Sequence, residues 1–439
     1  MNIQRVRLLS IGATDWLEAH NQITLALITL LGILATLGSV LGHPLMAKQL
    51  SSDPWMIASN LHQGQGYSAC STDYFPLCHG NPPTAMREPV PVLMFAGVML
   101  WHADPLAGVL LEIALYVGVI YLLYFGLEKQ GRAFALTAAA LWALSVPVIE
   151  QIGDASGDLE AAFWLAIAMF VFQKARASRR PATWFAAGVF AGVAVLSRSA
   201  ILAAVPVLVA GLLLEKAAGS LRFRLREAAW FSLAVALALA PWVLRNQVVF
   251  HEPLVGTTLT GYDLYRQNYF AASPAFQPHY VGAREAKPVF DQLIQASHLS
   301  GSENEVQVQR VYMGAAAKVI AAHPVRYVQL VLFRFLSLWF NSTVNAAYGE
   351  RPNLMDAAML IEQLFLLVAG LLGAWRGRRS LWPYAAVVLP VCGAYMLVIG
   401  QVRYLVEIMP AIAILAAAVF FPPAEPSEGS TGLKAARRA

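Results

Sequence analysis

Charged side chains are scarce in this sequence. Asp, Glu, Lys and Arg make up 13% of its 439 residues, against about 25% in soluble globular chains. That shortage excludes a fold in which most side chains face water. Cysteine is scarce as well, with three in the chain, and no second pair completes a zinc-ligand spacing. The internal repeat that marks many secondary transporters is missing. So is the apolar–polar alternation of a membrane barrel.

What is present is apolar material in long runs, which crosses a hydrocarbon core as helix. We read an all-α polytopic membrane protein with about ten spans: 22–42, 104–127, 132–149, 159–174, 184–197, 200–215, 228–244, 358–375, 381–399 and 404–421. Two further apolar segments, 90–101 and 325–340, are expected as interfacial or re-entrant helices. The run from Ile23 to Gly42 is too long for a signal peptide's apolar core and reads as a retained anchor. Residues 1–421 are taken as one membrane-embedded domain and 422–439, rich in Pro, Ser and Glu, as a disordered cytoplasmic tail.

Basic residues give the orientation, and the net charge of +5 is a topology signal with no sign of nucleic-acid binding. They collect at Arg5 and Arg7, Lys129 and Arg132, Lys174 to Arg180, Lys216 to Arg226, Arg376 to Arg379, and Lys434 to Arg438. In a ten-span chain all of these lie on one side, which places both termini in the cytoplasm. The opposite side then carries two long loops, loop one at 43–89 and a large loop at 245–325. Long ordered loops are usually functional. Ser302 to Glu305 reads as a capping box for a helix that ends before Pro324. Cys70 and Cys78 share loop one and are disulfide candidates if that side is oxidising, while Cys392 lies within a span.

Ionisable residues gather at the same side. Asp53 follows the first span, Arg87-Glu-Pro-Val-Pro91 closes loop one, and Asp154, Asp158 and Glu160 surround the start of another span. Arg198, Arg245, Arg334 and Arg403 sit at or near apolar helix ends. Charges in or beside spans are costly and usually face a polar cavity. Guanidinium forks suit a lipid phosphate, and a half-buried carboxylate suits proton abstraction from an acceptor hydroxyl.

In this ordered set the sequence resembles the GT-C membrane glycosyltransferases, particularly the branch of protein O-mannosyltransferases and lipid A aminoarabinose or galacturonic-acid transferases. Asp53 with Gln63-Gly-Gln-Gly-Tyr67, Arg87 to Pro91, Asp158, Gly188 to Arg198, Pro241-Trp-Val-Leu-Arg-Asn246, Thr257 to Leu264, His323-Pro324 with Arg334, and Arg403-Tyr404 carry the resemblance. It implies transfer, with inversion, of one sugar from a polyprenyl-phosphate carrier to a hydroxyl of lipid A or core, a surface glycan or a protein. It implies a site facing the periplasm or outside of the cytoplasmic (inner) membrane, with membrane lipids as further partners. Asp53 would be the general base or orient the acceptor, and Asp158 would be the second carboxylate, with Asp154 as the alternative. Arg87, Arg245 and Arg403 would hold the carrier phosphate, and Arg198, Tyr67 and Arg334 are further candidates. Asp53 is followed by Pro54 where many members carry a second acid, so use of a divalent metal stays open; His62 and His79 are the other candidate ligands. The alternative readings are a carrier-lipid-dependent polysaccharide polymerase or flippase, and a secondary transporter.

Overall fold

A computed structural model describes residues 20–42, 52–216, 219–351 and 353–423. Among these residues the chain is helical, with no strand and one isolated antiparallel bridge between Ser68 and Pro83. The outermost groups of basic residues, most of the C-terminal tail and the start of loop one, 43–51, lie outside the described residues.

Among the described residues, five helices are long and apolar enough to cross a membrane: Asn21–Val40, Pro105–Gln130, Leu221–Phe250, Leu354–Arg376 and Val402–Phe420. Each coincides with an expected span. Of the other expected spans, 159–174 falls on the 21-residue helix Asp158–Ser178 and the rest fall on shorter pieces. The 132–149 run breaks into Arg132–Ala143 and Val146–Glu150. Pro147 explains the break, because a proline is tolerated in a first helical turn and not in an interior. Residues 199–203 form a 3₁₀ turn before Ala204–Leu214. Pro181–Val195 and Trp382–Val398 are also short and apolar. Asp158–Ser178, with 21 residues, starts on two acids and runs into the bundle.

The bundle is organised around Val402–Phe420, whose apolar window is 89% buried, so this helix is enclosed on all sides. Helix Pro181–Val195 lies against Leu221–Phe250 through Gly188 and Gly192. Small residues four apart let two membrane helices approach closely. A Cβ on Gly188 would run into the Phe231 carbonyl oxygen and the Ala234 methyl. Gly188→Val is therefore expected to destabilise the bundle by about 1–3 kcal/mol. Thermal unfolding in detergent measures this, and an unchanged midpoint would mean that the contact carries nothing.

The two long loops fold together. Trp55, Ile57, Met86 and Phe95 from the first side pack with Tyr262, Phe290 and Tyr312 from the second in one buried cluster, separate from the core of the bundle. Helices Asp53–His62, Pro89–Met99, Thr260–Arg266, Ala283–Ala296 and Glu305–Ala322 supply it. Phe290 meets Tyr262 at 4.5 Å and Tyr312 at 4.8 Å between ring centroids. The Tyr312 hydroxyl donates to the Tyr74 carbonyl, 3.0 Å away. Cys70 and Cys78 form the expected disulfide.

Two expectations about the large loop meet different outcomes. Glu305–Ala322 does end before Pro324, and Pro324–Phe340 leaves at 109° to it. The capping box, however, is Asn304 with Gln307 rather than Ser302 with Glu305. Glu305 does not serve as the box acid because its carboxylate reaches across to Thr84 and Ala85 instead.

Candidate functional site

Asp53 begins its helix directly after Ser52, whose hydroxyl accepts the Trp55 N–H at 3.3 Å. Pro54 suits the first helical turn, and a carboxylate there is favoured by the helix dipole. Arg87 meets Asp53 from the far end of loop one. Its Nε donates to Oδ2 at 2.9 Å, and its terminal nitrogen contacts the same oxygen. This pair is mostly but not wholly buried, with 12% of the Asp53 side chain and 18% of the Arg87 side chain accessible.

A second pair lies beside the first. Asp158 is the first residue of its helix and is fully buried. Arg198 Nε donates to its Oδ1 at 2.7 Å, and the Ser156 hydroxyl donates to its Oδ2 at 2.8 Å. The Gly153–Gly157 turn that delivers Asp158 carries three positive φ angles: 91° at Gly153, 46° at Ala155 and 90° at Gly157. Gly157 is required there twice over, since a Cβ would also sit 3.0 Å from Pro91. Asp154 lies in the same turn, with its N–H on the Gln151 carbonyl at 3.2 Å.

Three contacts join the pairs. The Ser52 hydroxyl donates to the Ala155 carbonyl at 3.3 Å. The Val90 N–H donates to the Leu196 carbonyl at 3.1 Å. The Glu88 carboxylate accepts the Ser199 N–H at 2.9 Å. Asp53, Arg87, Asp158 and Arg198, scattered over 146 positions of sequence, thus gather at one end of the bundle.

The other sequence-derived candidates divide. Arg403 makes no ion pair with a described residue; its terminal nitrogen reaches the Tyr404 hydroxyl at 3.4 Å, and its Nε is buried without a partner among the described residues. It lies within electrostatic reach of both Asp158 and Tyr280. Arg245 donates to the Thr84 carbonyl at 2.8 Å and the Tyr67 carbonyl at 3.2 Å, and it sits over the rings of Tyr67, Trp242 and Phe250. In this position it clamps the end of loop one. Arg334 is enclosed by acceptors: the Gln267 carbonyl at 2.6 Å, the Asn268 side chain at 2.8 Å, and the Met396 and Leu397 carbonyls. Tyr67 donates to the Arg87 carbonyl at 2.9 Å, and burial pushes its phenol well above the ordinary range. His62 and His79 are exposed, and no group of three His, Cys, Asp or Glu placed to hold a metal ion occurs among the described residues.

Sequence reading missed a polar group next to Arg403. Arg266 is buried and donates to Asp263 at 2.7 Å, with its Nε left without a partner among the described residues. It lies over the Tyr262 and Tyr280 rings. Gln401 donates to the hydroxyls of Tyr280 and Tyr348. The stretch from Thr257 to Leu264 ends two residues short of Arg266, and nothing in the spacing ties Tyr280 to position 401.

From the sequence, Glu305 reads only as a cap. Burial pushes its carboxyl up to about 7, opposed by hydrogen bonds from Thr84 and Ala85. The ordinary value is about 4.3, so the folded protein holds this proton more tightly than the unfolded chain. The resulting stability is fully present below about pH 4.3 and is lost as pH rises through about 7. The thermal midpoint of the loop cluster is expected to fall between pH 5 and 8, and to fall less in Glu305→Gln. Equal slopes in the two proteins would assign the effect elsewhere.

No family model matches the chain, and no curated protein matches it. Solved structures do. Archaeal oligosaccharyltransferase AglB from Archaeoglobus fulgidus, in complex with an inhibitory peptide and a dolichol-phosphate, superposes with a TM-score of 0.50 at 16% identity, covering 92% of this chain. The chain shares that fold. The Archaeoglobus fulgidus oligosaccharyltransferase in complex with Zn and sulfate gives 0.46 at 17% identity over 88% of this chain. This chain spans about half of each, 51% and 48% of their lengths. The all-helical membrane architecture implied by the GT-C resemblance is the one found.

Proposed function

We propose that the chain is a glycosyltransferase of the cytoplasmic membrane, with its termini inside and its site facing outward. It moves one sugar from a polyprenyl-phosphate carrier to a hydroxyl acceptor on a lipid, glycan or protein. The observation that carries this reading is the gathering of two carboxylate–arginine pairs, Asp53–Arg87 and Asp158–Arg198, beside Arg403, which has no ion-pair partner among the described residues. The fold shared with AglB, which is described in complex with a dolichol-phosphate, is in keeping with it.

In this reading Asp53 takes the proton from the acceptor hydroxyl as the oxygen attacks the sugar's anomeric carbon. The new carbon–oxygen bond forms on the face opposite the carrier, and the bond to the carrier phosphate breaks. The electron pair leaves with the phosphate. Arg403 and Arg266 stabilise that charge, because fixed donors in a dry site are worth more than the same donors in water. Asp158 and Arg198 fix the frame between the two halves of the site.

Purified protein in proteoliposomes, supplied with a polyprenyl-phosphate sugar and scored by mass spectrometry, tests the activity. Arg403→Ala is expected to lower kcat/KM for the donor by about tenfold or more, since a charge-assisted hydrogen bond is worth about 1.5–3 kcal/mol. A lower kcat at unchanged KM would move Arg403 out of ground-state carrier binding. Solute uptake by the proteoliposomes without sugar transfer would establish the transporter reading instead.

A further inference from the structure

The segment Thr84–Arg87, which brings the Arg87 guanidinium to Asp53, is tied on every side. The Thr84 N–H donates to the Tyr67 carbonyl at 3.1 Å, and the Tyr67 hydroxyl donates to the Arg87 carbonyl at 2.9 Å. Arg245 donates to the Thr84 carbonyl at 2.8 Å, and the Thr258 N–H to the Ala85 carbonyl at 3.1 Å. Two further donors of the segment are the Thr84 hydroxyl and the Ala85 N–H. Both go to one carboxylate, that of Glu305, which is 2.7 Å from the hydroxyl and in direct contact with the amide. The Thr84 hydroxyl in turn accepts the Met86 N–H at 3.1 Å.

Glu305 is not needed where it stands in sequence. Its helix is capped reciprocally by Asn304 and Gln307, which leaves the Glu305 side chain no part in the box. Ala85, whose amide it accepts, is fully buried and needs an acceptor there.

We propose that Glu305 is a positioning residue, whose carboxylate fixes the Thr84–Arg87 segment and through it the Arg87–Asp53 pair. Its consequence for turnover rests on the reading of Asp53 as base; its structural content does not.

Hydrogen exchange of the full-length protein in detergent tests it. In Glu305→Ala the amides of residues 85–87 are expected to exchange about tenfold faster or more, as fits the loss of a buried acceptor. Helix Glu305–Ala322 should stay as slow as before, because its cap is intact. Glu303→Ala, on the same turn but bonded only locally to Ser300 and Gly301, should leave 85–87 unchanged. Unchanged exchange at 85–87 in Glu305→Ala overturns the proposal. So does a uniform rise across the whole loop cluster, which would make Glu305 a general stabiliser. In the transfer assay kcat should fall by about 10–100-fold, the scale of a misplaced catalytic group, with donor KM nearly constant. If Asp53→Asn keeps full turnover while Glu305→Ala frees residues 85–87, the positioning role stands and the base assignment falls.

Discussion

Asp53→Asn is expected to lower sugar transfer by about 10²–10⁴-fold, the range over which a positioned general base contributes. The variant keeps the shape of the side chain and its place at the helix start, so the fold should persist, with a modest fall in thermal midpoint from losing the charge opposite Arg87. The amide oxygen can still accept from Arg87, which holds the geometry while removing the base. That makes Asn the informative replacement, since Ala would leave the Arg87 guanidinium unpaired as well. Turnover at the parental rate would exclude Asp53 as the base. In the proposed role the effect belongs in kcat, because a base acts on the proton that moves in the transition state.

Asp158→Ala should act differently. The Asp158–Arg198 pair is buried, with Arg198 Nε 2.7 Å from the carboxylate. Removing one partner leaves a buried guanidinium without its hydrogen-bonded carboxylate, and such changes cost up to about 3–5 kcal/mol. Lower yield and an earlier unfolding midpoint are therefore expected together with lost activity. A paired replacement, Asp158→Leu with Arg198→Met, separates the two effects, because an apolar pair of similar size commonly restores stability. Stability recovered without activity marks the pair as part of the site. Activity recovered with stability marks it as scaffold.

How much of this was legible in the sequence depends on the range of each interaction. The five long helices announce themselves because an unbroken apolar run has one way to satisfy its backbone. Short helices such as Arg132–Ala143 read as longer spans because hydropathy averages across the Ser145–Pro147 break. At the site, Asp53, Arg87, Asp158 and Arg198 stood out as charges flanking apolar runs, and the structure brings these four together. Their pairing did not stand out, since it is set by contacts such as Val90 with Leu196 that no local pattern encodes. Arg245 and Arg334 looked the same as Arg403 in sequence. What separates them is carbonyl acceptors from distant segments, which saturate the first two and not the third. Glu305 looked like a capping acid because its sequence neighbours permit that role; its actual partners are about 220 positions away.

That separation bears on how the protein is made. Glu305 and Ala85 are 220 residues apart. At about 5–20 residues per second, ribosomal synthesis needs roughly 10–40 s to cover that distance. Through that interval Trp55, Ile57 and Met86, which end fully or almost fully buried, lack the Tyr262, Phe290 and Tyr312 surface they pack against. The first loop is thus delivered sticky and incomplete. A nascent chain released before residue 305 should therefore be prone to aggregation or proteolysis.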